Sequence, residues 1–212
     1  TPEKCHTWLA KNVTERNLEI AEILGDMVNP VMAVQSMDDD VLKSIKRDNI
    51  SLDTYESYHQ KFHKLGSTTY SDVIVPLPGE TLETHLNGLR QLFELEVDII
   101  QNHNCRMLAG CELNSMESRE HWGLRTRFRL IHGDAGSYKI DADESINCFE
   151  YEESLRETSS MSEADLFFLR KLHFLVDFCW NGNVYKPILK YLRSQYNVSP
   201  VDVFLELCSA SD

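Results

Sequence analysis

Three scarcities bound what these 212 residues can be. No run of about 18 apolar residues occurs, so nothing in the sequence reads as a bilayer-spanning helix. Basic charge is low: 21 Lys and Arg against 34 Asp and Glu leave a net charge of −13, spread along the chain and not held in one tail. That balance argues against a broad phosphate-binding face, and so against nucleic acid as a partner. Closely spaced cysteines are missing as well, since the six stand at positions 5, 105, 111, 148, 179 and 208. A disulfide scaffold is thereby excluded, and Cys179 and Cys208 fall in apolar helical patterns where a thiol serves as a small core residue. A reduced, cytoplasmic protein is the simplest reading. The sequence has no internal repeat and no low-complexity tract. Its opening residues, Thr1-Pro2-Glu3-Lys4, have neither an initiator Met nor a signal-peptide layout, so a piece of a longer protein is expected. Sequons begin at Asn12, Asn49 and Asn197; in an Asn-rich chain without a secretion signal they are read as chance.

What is present is the composition of one globular domain, or one domain with a small appendage: 42% apolar and 26% charged residues, nine Gly and six Pro. Leu18, Ile20, Ala21, Ile23 and Leu24 predict a helix over 14–28, with Pro30 barring its continuation. Val31 to Val34 reads as a buried strand delivering Gln35 and Ser36 at its carboxyl end. Asp38, Asp39 and Asp40 then place carboxylates at the start of a helix running to Lys46. Ser51 caps a helix over 52–65, Asp72 to Val75 forms a second strand, and Thr81 caps a helix striped by Leu82, Leu86, Leu89 and Phe93. Val97 to Ile100 is a third strand. Helix and strand alternating through short links is the pattern of a parallel sheet with crossover helices, in which function lies at the strands' carboxyl ends. Those ends hold Gln35, Ser36, Pro76 to Glu80, and Gln101 to Cys105.

Residues 106–161 are polar, Gly-punctuated and without a sustained period, and read as a long connection with a short strand at 126–131. Order returns at Ser162 to Asp165, a capping-box pattern ahead of Leu166, Leu169, Leu172 and Val176, and Ser199-Pro200 opens a last helix. Three strands are too few for a closed eight-stranded barrel of about 250 residues.

Three segments carry a family resemblance. One is Ala33 to Asp38 followed by Val41-Leu42-Lys43 and Lys46-Arg47-Asp48-Asn49-Ile50, with Gln35 and Arg47 twelve residues apart. The second is Asp72-Val73-Ile74-Val75-Pro76-Leu77-Pro78-Gly79-Glu80-Thr81, and the third Arg119 to Leu124. Their order resembles the carboxyl-terminal half of the catalytic barrel of radical S-adenosylmethionine (SAM) enzymes, in particular the cobalamin-binding-domain-containing radical SAM proteins. The likeness covers roughly residues 10–125, and the helices of 160–212 look like that group's tail. It implies an α/β fold: the second half of a TIM-like partial (β/α) barrel over 1–125, then a connecting segment and a small, mainly helical extension over 126–212.

The resemblance also implies roles. Residues matching Gln35 and Arg47 contact SAM in the oxygen-independent coproporphyrinogen oxidases, where an Arg fork suits the methionyl carboxylate. Ser36 or Gln35, and Asp72, would serve ribose hydroxyls, and the backbone from Ile74 to Pro76 would lie beside adenine. At residue 76 the family usually has Gly, and a proline cannot donate a backbone hydrogen bond. The cofactors implied are SAM, a 4Fe-4S cluster and, in the cobalamin group, cobalamin. No C-x3-C-x2-C run for such a cluster exists here. The cluster half and any cobalamin domain are therefore expected to precede Thr1, leaving this piece inactive alone, cytoplasmic, and acting in the whole enzyme on a small molecule or peptide.

Plainer readings stand beside these. Gln35 and Ser36 can satisfy their own turn, Arg47 can relieve a helix dipole, and Asp72 can cap or pair locally. His59 and His63, four apart, have metal-pair spacing but lack the accompanying Glu, and read as a solvated helix face. His103, Cys105 and Cys111 follow the third strand without forming a standard site. Tyr151, Glu152 and Glu153 read as surface. Two alternatives for the whole remain: an α/β enzyme binding a phosphorylated small molecule at the turn from Pro78 to Glu80, or a non-catalytic half-barrel binding module.

Overall fold

The computed structural model describes residues 14–25, 32–141 and 144–210. Cys5, the sequon at Asn12, the end of the helix read over 14–28, Pro30 and Val31 lie outside the described residues. Helix α1 spans Glu15–Leu24. From Met32 to Gln35 the chain runs parallel to strand β1 (Tyr70–Val75). Met32 N donates to Tyr70 O at 2.8 Å, Gln35 N to Asp72 O at 2.8 Å, and Ile74 N to Gln35 O at 2.9 Å. Strand β2 (Ile99–Asn104) pairs with β1, also parallel, with Tyr70 opposite Ile99 and Val75 opposite Asn104. Alternate residues Ser71, Val73 and Val75 of β1 are buried on a covered pleat, which the two β-branched valines suit, and the Ser71 hydroxyl donates to Met32 O at 3.0 Å.

The helices between these strands begin where the sequence provides caps. Asp38 accepts from Asp40 N and Val41 N to start α2 (Asp39–Ser44), and Ser51 accepts from Thr54 N to start α3 (Leu52–Lys64). Thr81 and Thr84 form a reciprocal capping box at the head of α4 (Leu82–Glu94). In the turn before it, Gly79 has φ +79°, and a Cβ there would sit 3.2 Å from Ser44 Oγ, so only glycine fits without strain.

Beyond Cys105 the structure departs from the sequence reading. A short helix, α5 (Met116–His121), leads into an antiparallel hairpin of two long strands, β3 (Arg125–Lys139) and β4 (Ser145–Glu157). The segment is not an irregular connection. Its strands escape periodicity because most of the hairpin is exposed: Phe128, Leu130, Tyr138 and Phe149 all stand in solvent. With no buried face, alternation has nothing to report. The base of the hairpin is fixed to the end of β2, with Met107 N donating to Glu153 O and Leu155 N to Cys105 O.

Helix α6 (Glu163–Leu175) starts at the Ser162–Asp165 capping box and passes through a π-helical turn (Val176–Asn181). Helices α7 (Lys186–Tyr196) and α8 (Pro200–Ser209) follow. Their apolar faces share a core with the sheet: Leu169, Leu172, Trp180 and Phe204 pack with Phe62, Leu89, Phe93 and Ile100. Trp180 is fully buried, donates from Nε1 to Val97 O at 2.9 Å, and meets the Phe93 ring edge-on at 4.8 Å. The molecule is thus a mixed α/β fold with parallel strands. Among the described residues no helix is long and apolar enough to cross a membrane.

Candidate functional site

A cavity of about 1200 Å³ opens at the carboxyl ends of the parallel strands. Gln35, Ile74, Asn102 and His103 contribute strand-end walls, Trp122 follows α5 on one side, and Arg170 and His173 of α6 close another.

Gln35 is held there by unusual backbone geometry. Its φ is +61°, the left-handed region, which costs a non-glycine residue about 1–3 kcal/mol and persists only where the surroundings enforce it. The enforcement is visible: its N–H donates to Asp72 O and its carbonyl accepts from Ile74 N.

The other residues singled out from sequence divide into two groups. Ile74 lines the cavity with Gln35; Ser36, Arg47, Asp72 and Pro76 do not. Ser36 is buried, and its Oγ accepts from Asp38 N at 3.2 Å, a turn contact. Arg47 donates from Nη2 to Ala33 O at 2.6 Å and from Nε to Asn49 Oδ1 at 2.9 Å. Both acceptors are neutral, and burial alone pulls the guanidinium pKa down. Asn49 completes the brace, donating to Val34 O at 2.9 Å and Ser36 O at 3.0 Å. Arg47 and Asn49 together therefore hold the four-residue segment that ends on Gln35 and Ser36. Asp72 Oδ1 lies 3.3 Å from His103 Nε2, and Pro76 is buried behind a cis Val75–Pro76 bond.

Asn102 is a feature the sequence did not flag. Both polar atoms of its side chain are buried without a hydrogen-bond partner, although the residue lines the cavity. Such an amide is costly to leave unmet, so it marks a place where a ligand with one donor and one acceptor gains.

A second feature missed from sequence is a buried chain of polar groups. Glu80 and His85 are 1% and 4% exposed, with Glu80 Oε1 3.1 Å from His85 Nδ1. His85 Nε2 lies 3.0 Å from His173 Nε2, across the interface of α4 and α6. Burial first, and the neighbouring His85 second, drive the His173 pKa well below its ordinary value. The sequence does hold a signal: His85 lies between Leu82 and Leu86 on one apolar stripe, and His173 four residues after Leu169 on another.

Several minor readings change. His59 is not on a solvated face; it is 4% exposed, and its Nε2 lies 2.9 Å from Thr69 Oγ1. Burial, with the charge of His63 adding to it, lowers its pKa to about 4. His63 instead meets Asp98 Oδ2 at 2.7 Å. Glu152 is buried, not surface, and pairs with Arg106 at 2.7 Å and with Arg129. Glu153 pairs with Arg119 at 2.7 Å. Cys105 and Cys111 line the cavity as thiols, and burial lifts the Cys105 pKa to about 12, which leaves it a poor nucleophile or ligand. Among the described residues no cluster of three or more His, Cys, Asp or Glu side chains is placed to hold a metal ion. The described residues therefore do not supply an iron–sulfur ligand set. The turn from Pro78 to Glu80 suits a phosphate poorly: Leu77 N is taken by Glu80 Oε2 at 3.2 Å and Thr81 N by Thr84 Oγ1 at 2.9 Å.

No family model matches the chain. Two curated relatives do align with it. One is the cobalamin-dependent radical SAM methyltransferase TokK of Streptomyces tokunonensis, 27% identical over 205 residues. The other is the 2-(S-pantetheinyl)-carbapenam-3-carboxylate methyltransferase of Streptantibioticus cattleyicolor, 26% identical over 205 residues. Each alignment covers 93% of this chain and 29% of the relative, so the chain spans less than a third of their length. The resemblance to cobalamin-dependent radical SAM proteins thus runs over nearly the whole chain and beyond the three short motifs that first carried it.

Proposed function

We propose that this chain is the carboxyl-terminal part of a cobalamin-dependent radical SAM methyltransferase. On this reading residues 1–125 complete a partial (β/α) barrel, and 126–212 form the connecting segment and helical extension. The iron–sulfur cluster and the cobalamin belong to an amino-terminal half outside these 212 residues, since no C-x3-C-x2-C run occurs here. When bound, the cluster supplies the electron that cleaves SAM to a deoxyadenosyl radical, and cobalamin carries the methyl group. The enzyme is cytoplasmic, and its methyl acceptor is a small molecule, a class that includes the carbapenam carboxylate named for one relative.

The contribution of this chain is to position SAM. The observation that carries this reading is the left-handed backbone of Gln35 at a strand end, with the residue on the wall of the cavity. Gln35 hydrogen-bonds SAM and Ile74 packs beside adenine, while Ser36 and Asp72, which lie outside the cavity lining, support the Gln35 segment through the Ser36 turn contact and the Asp72 carbonyl. The unpaired amide of Asn102 fits a base edge, which offers a donor next to an acceptor. Arg47 lies outside the cavity lining and serves the site by bracing the Gln35 segment through Ala33 O and Asn49 Oδ1. Pro76 is buried outside the cavity lining and donates no backbone hydrogen bond.

The test is anaerobic reconstitution of the complete protein with iron, sulfide and cobalamin, followed by measurement of SAM consumption. Turnover is expected from the complete protein and none from residues 1–212 alone. A complete protein that binds no cluster and consumes no SAM contradicts the reading.

A further inference from the structure

With Glu80 ionised and His85 neutral, the Glu80–His85–His173 chain runs in one direction. A carboxylate only accepts hydrogen bonds, and Glu80 uses Oε2 for Leu77 N and Oε1 for His85 Nδ1. His85 Nδ1 must therefore carry the proton of that bond. In the neutral ring this leaves His85 Nε2 as a lone pair, so the proton in the 3.0 Å contact comes from His173 Nε2. His173 then has its lone pair on Nδ1, the nitrogen remote from His85, in a residue that lines the cavity. The polarity of a buried glutamate is transmitted through two imidazoles to the cavity wall.

We propose that His173 is a specificity-determining residue whose Nδ1 is a fixed hydrogen-bond acceptor, selecting a cavity ligand that offers an amide N–H or a hydroxyl at that point. The chain is well built for this. Glu80 and His85 are almost wholly buried, which removes competing water, and the Glu80 backbone is pinned by Ser160 Oγ donating to its carbonyl at 2.7 Å. The contact also joins segments 88 residues apart, so the selecting group comes from the helical tail while its polarity is set in the turn before α4. The charged and titratable groups around His173 and its neighbour Arg170 are Glu163 and Asp177 from their own side, His85 and Glu80 from α4 and its turn, and Arg129 and Arg156 from the hairpin. Arg170 and His85 both oppose a proton on His173, keeping the acceptor intact.

The inference rests on the cavity being where substrate sits, and the test reads the imidazole directly so that it does not depend on cofactor chemistry. The protein is labelled with ¹⁵N in its histidine rings and followed by NMR. At pH 7 the His173 ring is expected to carry its proton on Nε2 and none on Nδ1, and Glu80→Gln, which can offer a donor to His85, is expected to mix the tautomers. N-methylacetamide, with an N–H, is expected to move the Nδ1 resonance, whereas N,N-dimethylacetamide, with the same carbonyl and no N–H, leaves it in place. A proton found on Nδ1 in the parent protein, or equal responses to the two amides, overturns the proposal. If Glu80→Gln does not fold, the tautomer and the amide comparison in the parent protein still decide it.

Discussion

Arg47 Nη2 lies 2.6 Å from the carbonyl oxygen of Ala33, fourteen residues earlier in the chain. That bond and the neighbouring ones from Asn49 fix the end of the segment from which Gln35 reaches the cavity. A motif that reads as two ligand-binding residues is thus also a mechanical unit, the Arg bracing the strand that presents the Gln.

Arg47→Ala is expected to lower the stability of the fold by about 1–3 kcal/mol, because Ala33 O and Asn49 Oδ1 both lose a part-buried donor. In urea denaturation the midpoint falls and the slope stays. An unchanged midpoint shows the brace to be dispensable.

Asn102→Ala is expected to behave in the opposite way. The side chain has no protein partner for either polar atom, so in the absence of ligand its removal should leave stability unchanged or raise it by about 1 kcal/mol. A loss of more than about 1 kcal/mol, the value of a typical hydrogen bond, means the amide is satisfied within the protein.

Stability should fall on mild acidification, partly through His59. Its folded pKa of about 4 lies below the ordinary 6.5, so the unfolded chain binds the extra proton first. The contribution is complete above pH 6.5 and is lost as the pH drops from 6.5 toward 4. His173 adds in the same sense. His59→Gln is expected to flatten the dependence of the urea midpoint on pH over this window. An identical slope in the variant excludes His59 as a source.

Much of this fold is legible where local chemistry and burial agree. Asp38, Ser51, Thr81 and Ser162 cap the helices that the sequence places after them, and the apolar runs before Gln35 and Pro76 lie side by side in the structure. The third strand reads as Val97 to Ile100 and is found at Ile99–Asn104. Its last four residues are Gln101-Asn102-His103-Asn104, of which Asn102, His103 and Asn104 line the cavity, and this polarity hides the strand from hydrophobic pattern. The β3–β4 hairpin is hidden by its exposure. In the site, short motifs point to the strand ends but not to Asn102, whose importance lies in a missing partner, nor to His85 and His173, which meet only through tertiary packing. His59 is hidden because it shares its helix with Tyr55, Tyr58, Phe62 and His63, and the four-residue spacing of the two histidines does not tell a buried ring from a wet one.

The central claim is that Gln35 holds SAM at the strand ends, and equilibrium binding of SAM to the complete, cluster-loaded protein tests it most directly. Gln35→Ala is expected to weaken binding about three- to tenfold, the loss of one hydrogen bond, with an unchanged urea midpoint because alanine keeps the Cβ that makes this left-handed backbone costly. Equal affinity in parent and variant contradicts the account.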